Sequence, residues 1–147
     1  MANLFIGIKG TVLAVEPASG KVVWQSALHG KGFVNVLLQG GQLFATTHGE
    51  VFRLNPATGA VAWQTSVGSD FVNVALEGGQ LFAACMGELY CLDPATGEIR
   101  WKNELKGMGF GLTSIAQSPD GNRAVVEEKH RQDEIAASDS GAEAALM

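Results

Sequence analysis

Cys85 and Cys91 are the two side chains of this sequence that could form a disulfide or bind a soft metal ion. A zinc site requires about four convergent ligands, and no paired histidines lie near these cysteines in the sequence. On a hairpin that turns at Met86-Gly87, Cys91 would pair with Phe82 and Cys85 would point to the opposite face, because side chains alternate along a strand. We therefore expect neither a disulfide nor a metal site, but two small buried side chains.

The three histidines, His29, His48 and His130, share no spacing that would assemble a catalytic group. The sequence also lacks the HExxH, GxSxG and phosphate-loop motifs. His48 falls in a predicted hairpin turn and His29 in a predicted loop between repeats, where both would be solvated. The sequence therefore predicts no catalytic residues, and we expect that the protein is not an enzyme.

Asn35 and Asn73 are candidate ligand-binding residues. Each stands third in an otherwise apolar FVNV segment. A buried amide costs free energy unless it is hydrogen-bonded, so each side chain needs a partner. One interpretation is a structural bond to an adjacent loop, and the other is a set of amides that lines a central channel and binds a polar ligand. Leu112 at the corresponding position of a later segment argues against a full ring of amides.

These residues lie in a sequence that repeats. Residues 33–63 and 71–101 align without a gap and share 19 identities over 31 positions. A partial copy covers residues 4–24, and a degraded copy starts at Phe110. The three tryptophans recur at intervals of 39 and 38 residues. Such self-similarity indicates a chain built from copies of one supersecondary unit.

Each unit has the turn signals of four short strands, and the body shows no helical periodicity. Gly-containing pairs favour two-residue hairpins, and a proline turn that ends in glycine precedes the strand with the tryptophan. The predicted strands are 33–39, 71–77 and 110–116 in first position, 4–8, 42–47 and 80–85 in second position, 11–15, 50–54 and 88–92 in third position, and 21–27 as an example of the fourth.

A four-stranded unit of this period is typical of a β-propeller blade. The run from Val34 to Leu38 is apolar on both faces, as expected for a blade between two neighbours. The sequence therefore predicts an all-β fold of blades with four antiparallel strands and about three repeats per chain. We predict one propeller-repeat domain over residues 1–126. Its blades would cover about 3–28 together with 110–116, then 33–67, and then 71–105.

The segments from Ala14 to Trp24, Asn55 to Trp63 and Asp93 to Trp101 resemble the tryptophan-docking motif of pyrroloquinoline-quinone-type propeller repeats. The resemblance implies that each tryptophan stacks against the glycine and small residue of the motif in an adjacent blade. Arg53 and Cys91 stand where the motif has the small residue, which is Ala14 in the first copy. The structural docking residues that the resemblance implies are Trp24, Trp63, Trp101, Gly20, Gly59 and Gly97.

Quinone-dependent dehydrogenases of this family use a vicinal cysteine pair, a calcium site and a catalytic aspartate. Cys85 and Cys91 are not vicinal, and the acidic residues are scattered singly. We therefore expect no cofactor. The function expected is a non-catalytic binding or scaffolding module that contacts another protein or peptide. The alternatives are a fragment of a quinone-dependent dehydrogenase and a propeller that binds a carbohydrate or another small ligand.

The number of repeats raises the question of assembly. Propellers close with four to eight blades, and an open arc would expose two apolar faces of the kind that marks an interface. We therefore expect a homo-oligomer, most simply a dimer, in which strand 110–116 of each chain completes the N-terminal blade of its partner. A strand at 122–128 would allow a larger ring. The alternative is that the chain is a fragment of a longer propeller.

Charge and hydropathy limit the remaining partners. The formal net charge of −5 at pH 7 argues against nucleic acid and anionic membranes. No apolar run approaches the ~18 residues of a membrane span. The N-terminus has neither a basic start nor a long apolar stretch, so we expect a cytoplasmic location. Residues 127–147 carry six acidic and two basic side chains and no aromatic one, which predicts an acidic flexible tail.

Overall fold

In the computed structural model, which describes residues 2–107, eleven strands form three antiparallel sheets. The first sheet contains β1 (Leu4–Ile8), β2 (Thr11–Val15) and β3 (Val22–Ala27). The second contains β4 (Asn35–Gln39), β5 (Gln42–Thr46), β6 (Glu50–Leu54) and β7 (Val61–Ser66). The third contains β8 (Asn73–Glu77), β9 (Gln80–Cys85), β10 (Glu88–Leu92) and β11 (Ile99–Asn103). The strand predicted at 110–116, the one at 122–128 and the tail at 127–147 lie outside the described residues.

Each sheet is a meander in which every strand pairs with the next one along the chain. The first sheet has three strands because the repeat copy at residues 4–24 lacks the FVNV segment. The all-β fold predicted from the repeats, with blade-like antiparallel sheets, is confirmed. Residues 2–107 contain no helix that could cross a lipid bilayer.

Tight turns with left-handed backbone close the hairpins. Lys9 and Gly10 have φ angles of 48° and 71°, and Met86 and Gly87 have φ angles of 53° and 76°. This conformation matches the twist of the flanking strands in a two-residue hairpin. The turn at Met86-Gly87 sets the register in which Cys91 pairs with Phe82.

The proline turns precede the last strand of each sheet. In the second sheet, the Asn55 side-chain oxygen accepts the Ala57 N–H at 2.8 Å, and Gly59 N–H donates to the Asn55 carbonyl at 2.7 Å. The third sheet repeats these contacts through Asp93. The register then shifts next to the turn, for example between Arg53 and Leu54. This bulge fits the extra residue that the turn contributes.

The innermost strands β4 and β8 begin two residues later than the sequence predicts. The residues just before these strands contact a neighbouring sheet or linker and do not pair within their own sheet. The rings of Phe33 and Phe71 lie 5.6 Å apart, centroid to centroid. The Val72 carbonyl accepts a hydrogen bond of 3.0 Å from the Thr46 hydroxyl in the second sheet.

The core consists of two apolar layers, one between each pair of neighbouring sheets. The second sheet contributes to both layers, because Leu43 and Ala45 pack towards the first sheet while Phe44 and Val51 pack towards the third. The buried residues of the first layer are Val12, Val34, Leu43, Ala45, Phe52 and Leu54. Those of the second layer are Phe44, Val51, Val67, Val72, Val74, Leu76, Leu81, Ala83, Cys85, Tyr90 and Leu92.

Candidate functional site

The seam between the first and second sheets contains Trp24, which lies on β3. Its indole N–H donates to the carbonyl of Pro56 at 3.0 Å. A Cβ added at Gly59 would lie 2.4 Å from Cε3 of this indole, and Gly59 has a φ angle of 81°. Glycine is therefore required here both for its backbone conformation and for the close approach of the ring.

The seam between the second and third sheets repeats this contact. The Trp63 indole donates to the Pro94 carbonyl at 2.9 Å, and a Cβ at Gly97 would lie 2.4 Å from the ring. The guanidinium of Arg53 donates to the same carbonyl at 2.7 Å, and the Thr65 hydroxyl donates to the Gly97 carbonyl at 2.6 Å. Arg53, which replaces the small residue of the motif, thus adds a hydrogen bond across the two sheets.

Trp101 and Gly20 are placed differently from the other four motif residues. Trp101 is 44% exposed, and its ring contacts that of Phe82 with centroids 6.0 Å apart. A Cβ built at Gly20 would meet no described residue within 4 Å, whereas Gly59 and Gly97 are buried beneath indole rings. Within residues 2–107, the structure brings together Trp24 with Gly59 and Trp63 with Gly97, and leaves Trp101 and Gly20 at the two ends.

Asn35 and Asn73 occupy equivalent places, as the first residues of the innermost strands β4 and β8. These two strands contact each other, so both residues lie on the inner edge of the arc of sheets. Asn73 is buried, and the Asn35 Nδ2 atom is buried without a hydrogen-bond partner among the described residues. The amides are thus aligned on neighbouring strands at one end of the sheets.

A cavity of about 380 Å³ lies at the same end, between the linkers that lead from one sheet to the next. The paired rings of Phe33 and Phe71 form its apolar wall. Thr47 contributes a buried hydroxyl oxygen that has no hydrogen-bond partner among residues 2–107. The full lining comprises His29, Gly30, Lys31, Gly32, Phe33, Thr47, His48 and Phe71.

A polar group borders this cavity. The Nδ1 atom of the exposed His29 contacts one carboxylate oxygen of Glu50, and the Gln64 amide donates to the other oxygen at 2.7 Å. Sequence reasoning missed this cluster and the pair of phenylalanines. The signal that could have found the pair is the identical first residue of FVNV at positions 33 and 71.

The cysteines lie in the core. Burial raises the pKa of both thiols, Cys85 and Cys91, above the ordinary cysteine value. A thiol with a raised pKa holds its proton at neutral pH and is a poor nucleophile and metal ligand. Neither residue lines the cavity. Within the described part of the chain, no group of three or more histidine, cysteine, aspartate or glutamate side chains could hold a metal ion.

Solved propellers have the same arrangement of sheets. BamB from Moraxella catarrhalis superimposes with a TM-score of 0.58 at 21% identity over 80% of this chain and 36% of that chain. The computationally designed Ika8 protein gives 0.64 at 13% identity, covering 80% and 38%. A chain of the mitotic checkpoint complex gives 0.67 at 15% identity, again covering 80% and 38%. The chain spans little more than a third of the length of these proteins, and the likeness at such identities shows the propeller fold.

The sequence comparison is more specific. No curated protein matches the chain with a significant score. A family model described as "Outer membrane protein assembly factor BamB" matches it twice, over residues 8–85 and 73–142. The two matches together cover most of the chain and include all three tryptophan motifs. The chain therefore belongs to this BamB-like family of PQQ-type propeller repeats.

Proposed function

We propose that the protein is a non-catalytic binding module that holds a segment of another protein in the cavity between its linkers. The observation that carries the proposal is the composition of the cavity wall, which combines the rings of Phe33 and Phe71, two exposed linker glycines and a buried hydroxyl of Thr47. Aromatic residues are enriched at protein interfaces, and a few well-placed polar groups fix the orientation of a bound ligand.

The chemistry of the surroundings supports binding over catalysis. Activated nucleophiles and general bases have pKa values shifted towards the working pH. The thiols of Cys85 and Cys91 are shifted away from it by burial. The Asp93 carboxyl has a lowered pKa because its oxygen accepts the Ala95 N–H, which is the work of a turn residue. All three residues lie outside the cavity lining.

The description of the family makes a component of an outer-membrane protein assembly machinery one candidate source of the bound segment. Such a partner would lie outside the cytoplasm. A partner of this kind and the cytoplasmic location expected from the sequence therefore exclude each other. Fractionation of cells that express the full-length gene would distinguish them.

Selection of a phage-displayed random peptide library against the full chain tests the proposal. We expect enriched peptides that the wild-type protein binds and that the variant Phe71→Ala binds at least tenfold more weakly, equivalent to about 1.4 kcal/mol. The variant His29→Ala probes the same cavity through an exposed side chain, so it tests the site without removing core packing. Isothermal titration calorimetry of a synthetic peptide gives the dissociation constants.

Val61→Ala is the matched control, because Val61 is an exposed apolar residue on β7 and does not line the cavity. It should leave peptide affinity unchanged. Enriched peptides that Phe71→Ala and His29→Ala bind as well as the wild type does would contradict the proposal. Binding on a glycan array would favour the carbohydrate alternative. A new absorbance band with pyrroloquinoline quinone and calcium would favour the dehydrogenase alternative.

A further inference from the structure

The two ends of the described arc carry the two halves of one contact. At both internal seams an indole lies on a motif glycine and donates to the carbonyl of a motif proline, Pro56 or Pro94. At one end of the arc Trp101 is 44% exposed. At the other end no atom of residues 2–107 lies within 4 Å of a Cβ added at Gly20. The end with the tryptophan therefore matches the end with the open turn.

The open turn already has the conformation of the occupied ones. The φ angle is 78° at Gly20, compared with 81° at Gly59 and 80° at Gly97. Gly20 N–H donates to the Glu16 carbonyl at 2.8 Å, as Gly59 and Gly97 donate to the residue four positions before them at 2.7 Å. An incoming indole would thus meet a preformed surface, with the Pro17 carbonyl at the position of the carbonyls of Pro56 and Pro94.

Apolar residues of the first sheet are exposed at positions where the equivalent residues of the other two sheets are buried. In the second and third sheets, the repeat positions of Leu43 and Leu81 are 0% exposed, since they pack against the preceding sheet. The equivalent residue of the first sheet, Leu4, is 55% exposed. Ile6, whose equivalents Ala45 and Ala83 are 0% exposed, is 42% exposed. The first sheet therefore presents an apolar face built to pack against a preceding sheet.

We propose that a second copy of this chain completes both ends, with Trp101 of each copy docked on Gly20 of the other. The indole N–H of Trp101 donates to the Pro17 carbonyl across the seam, and Leu4 and Ile6 pack against the third sheet of the neighbouring copy. The pair closes because each copy offers one tryptophan and one open turn, and a two-fold axis then satisfies both contacts. This inference uses the ends of the arc and does not depend on the peptide cavity.

Sedimentation velocity and light scattering on the full-length chain test the proposal. We expect a species of twice the 15.4 kDa chain mass. Trp101→Ser and Gly20→Glu should each raise the dissociation constant at least tenfold. Gly20 lies at an exposed turn with open space, so Gly20→Glu should stay folded and keeps the test valid if Trp101→Ser does not fold. Far-ultraviolet circular dichroism checks the fold of both.

A mixture distinguishes this head-to-tail contact from a symmetric one. Trp101→Ser retains a normal Gly20, and Gly20→Glu retains a normal Trp101, so one mixed pair has one intact seam. We expect the two variants to associate more strongly together than either does alone. Val61→Ser, which lies on an exposed strand of the second sheet away from both ends, should leave the mass unchanged.

Three results would overturn the proposal. One is a wild-type chain that stays monomeric as its concentration rises, which would mean that its own residues cover the ends. Another is a dimer whose dissociation constant neither Trp101→Ser nor Gly20→Glu changes. The third is a series of ever larger oligomers, which would contradict a closed pair.

Discussion

Tyr90 is the only tyrosine of the chain and reports on the layer between the second and third sheets. Its hydroxyl donates to a carboxylate oxygen of Glu88 at 2.8 Å. Burial raises the pKa of Tyr90 to about 12, because the phenolate would lose its hydration, and the hydrogen bond to Glu88 and its charge act in the same direction.

The raised pKa of Tyr90 therefore fixes the direction in which stability changes with pH. A raised pKa in the folded state contributes stability that is complete below the unfolded value of about 10 and is lost as the pH rises through about 12. We expect the phenolate absorbance of the native protein to rise with a midpoint near 12, and that of the protein in denaturant near 10. Glu88→Gln should lower the native midpoint, since the carboxylate charge is removed. A native midpoint near 10 would contradict this account.

At the scale of the element, the proline turn is the part of the second and third sheets that receives the indole of the preceding sheet. Gly59 has a φ angle of 81°, and a Cβ there would lie 2.4 Å from the Trp24 ring. Gly41, in the turn between β4 and β5, has a φ angle of 77°, and in the described part of the chain nothing lies within 4 Å of a Cβ added there. The two glycines share a backbone conformation and differ in whether an indole covers them.

This pair separates backbone strain from packing. Gly41→Ala should cost about 1 kcal/mol, the penalty of a Cβ in the left-handed region. Gly59→Ala should cost about 1–3 kcal/mol more, because the methyl group also displaces the Trp24 ring. The free energies of urea unfolding measure the difference. Equal costs at the two positions would contradict the close contact between Gly59 and the indole ring.

The repeats predicted the strands and turns well, since their signals are local. The Met86-Gly87 turn was sufficient to place Cys91 opposite Phe82. The contacts between sheets were harder to predict from the sequence, because spacing along the chain does not say which neighbouring turn receives a tryptophan. In the structure it is the following sheet, as Trp24 on Gly59 shows.

The cavity and its border illustrate the other limit of sequence reasoning. Phe33 and Phe71 are 38 residues apart and meet only because the linkers of successive sheets lie side by side. The sequence likewise did not predict the hydrogen bond of Arg53 to the Pro94 carbonyl, since the motif has a small residue at that position. Contacts of this kind depend on how far apart neighbouring sheets lie, which no local pattern encodes.

At the scale of the whole molecule, stability is the sum of sheets and of the layers between them. Among residues 2–107, the second sheet has an apolar layer on each face, whereas the first sheet has such a layer on one face only. In such a stack each unit depends mainly on its nearest neighbours, so the unit with fewer buried faces opens more easily.

Hydrogen exchange should therefore vary along the chain. We expect the amides of β5 and β6 to exchange at least tenfold more slowly than those of β1. Mass spectrometry of peptides from a Gly20→Glu variant measures this without interference from pairing of copies at the first sheet. Uniform exchange rates across these strands would indicate that residues 2–107 open as a single unit.

The direction of the indole contacts has a consequence for how such a molecule can change its size. At both described seams, one sheet supplies the tryptophan ring and the following sheet supplies the glycine turn, as with Trp63 and Gly97. Duplication of the gene segment that encodes one such unit would supply both the tryptophan and the glycine turn of a further seam. Growth or shortening by whole units would thus leave the remaining joints unchanged, and copy number alone would set the length of the protein.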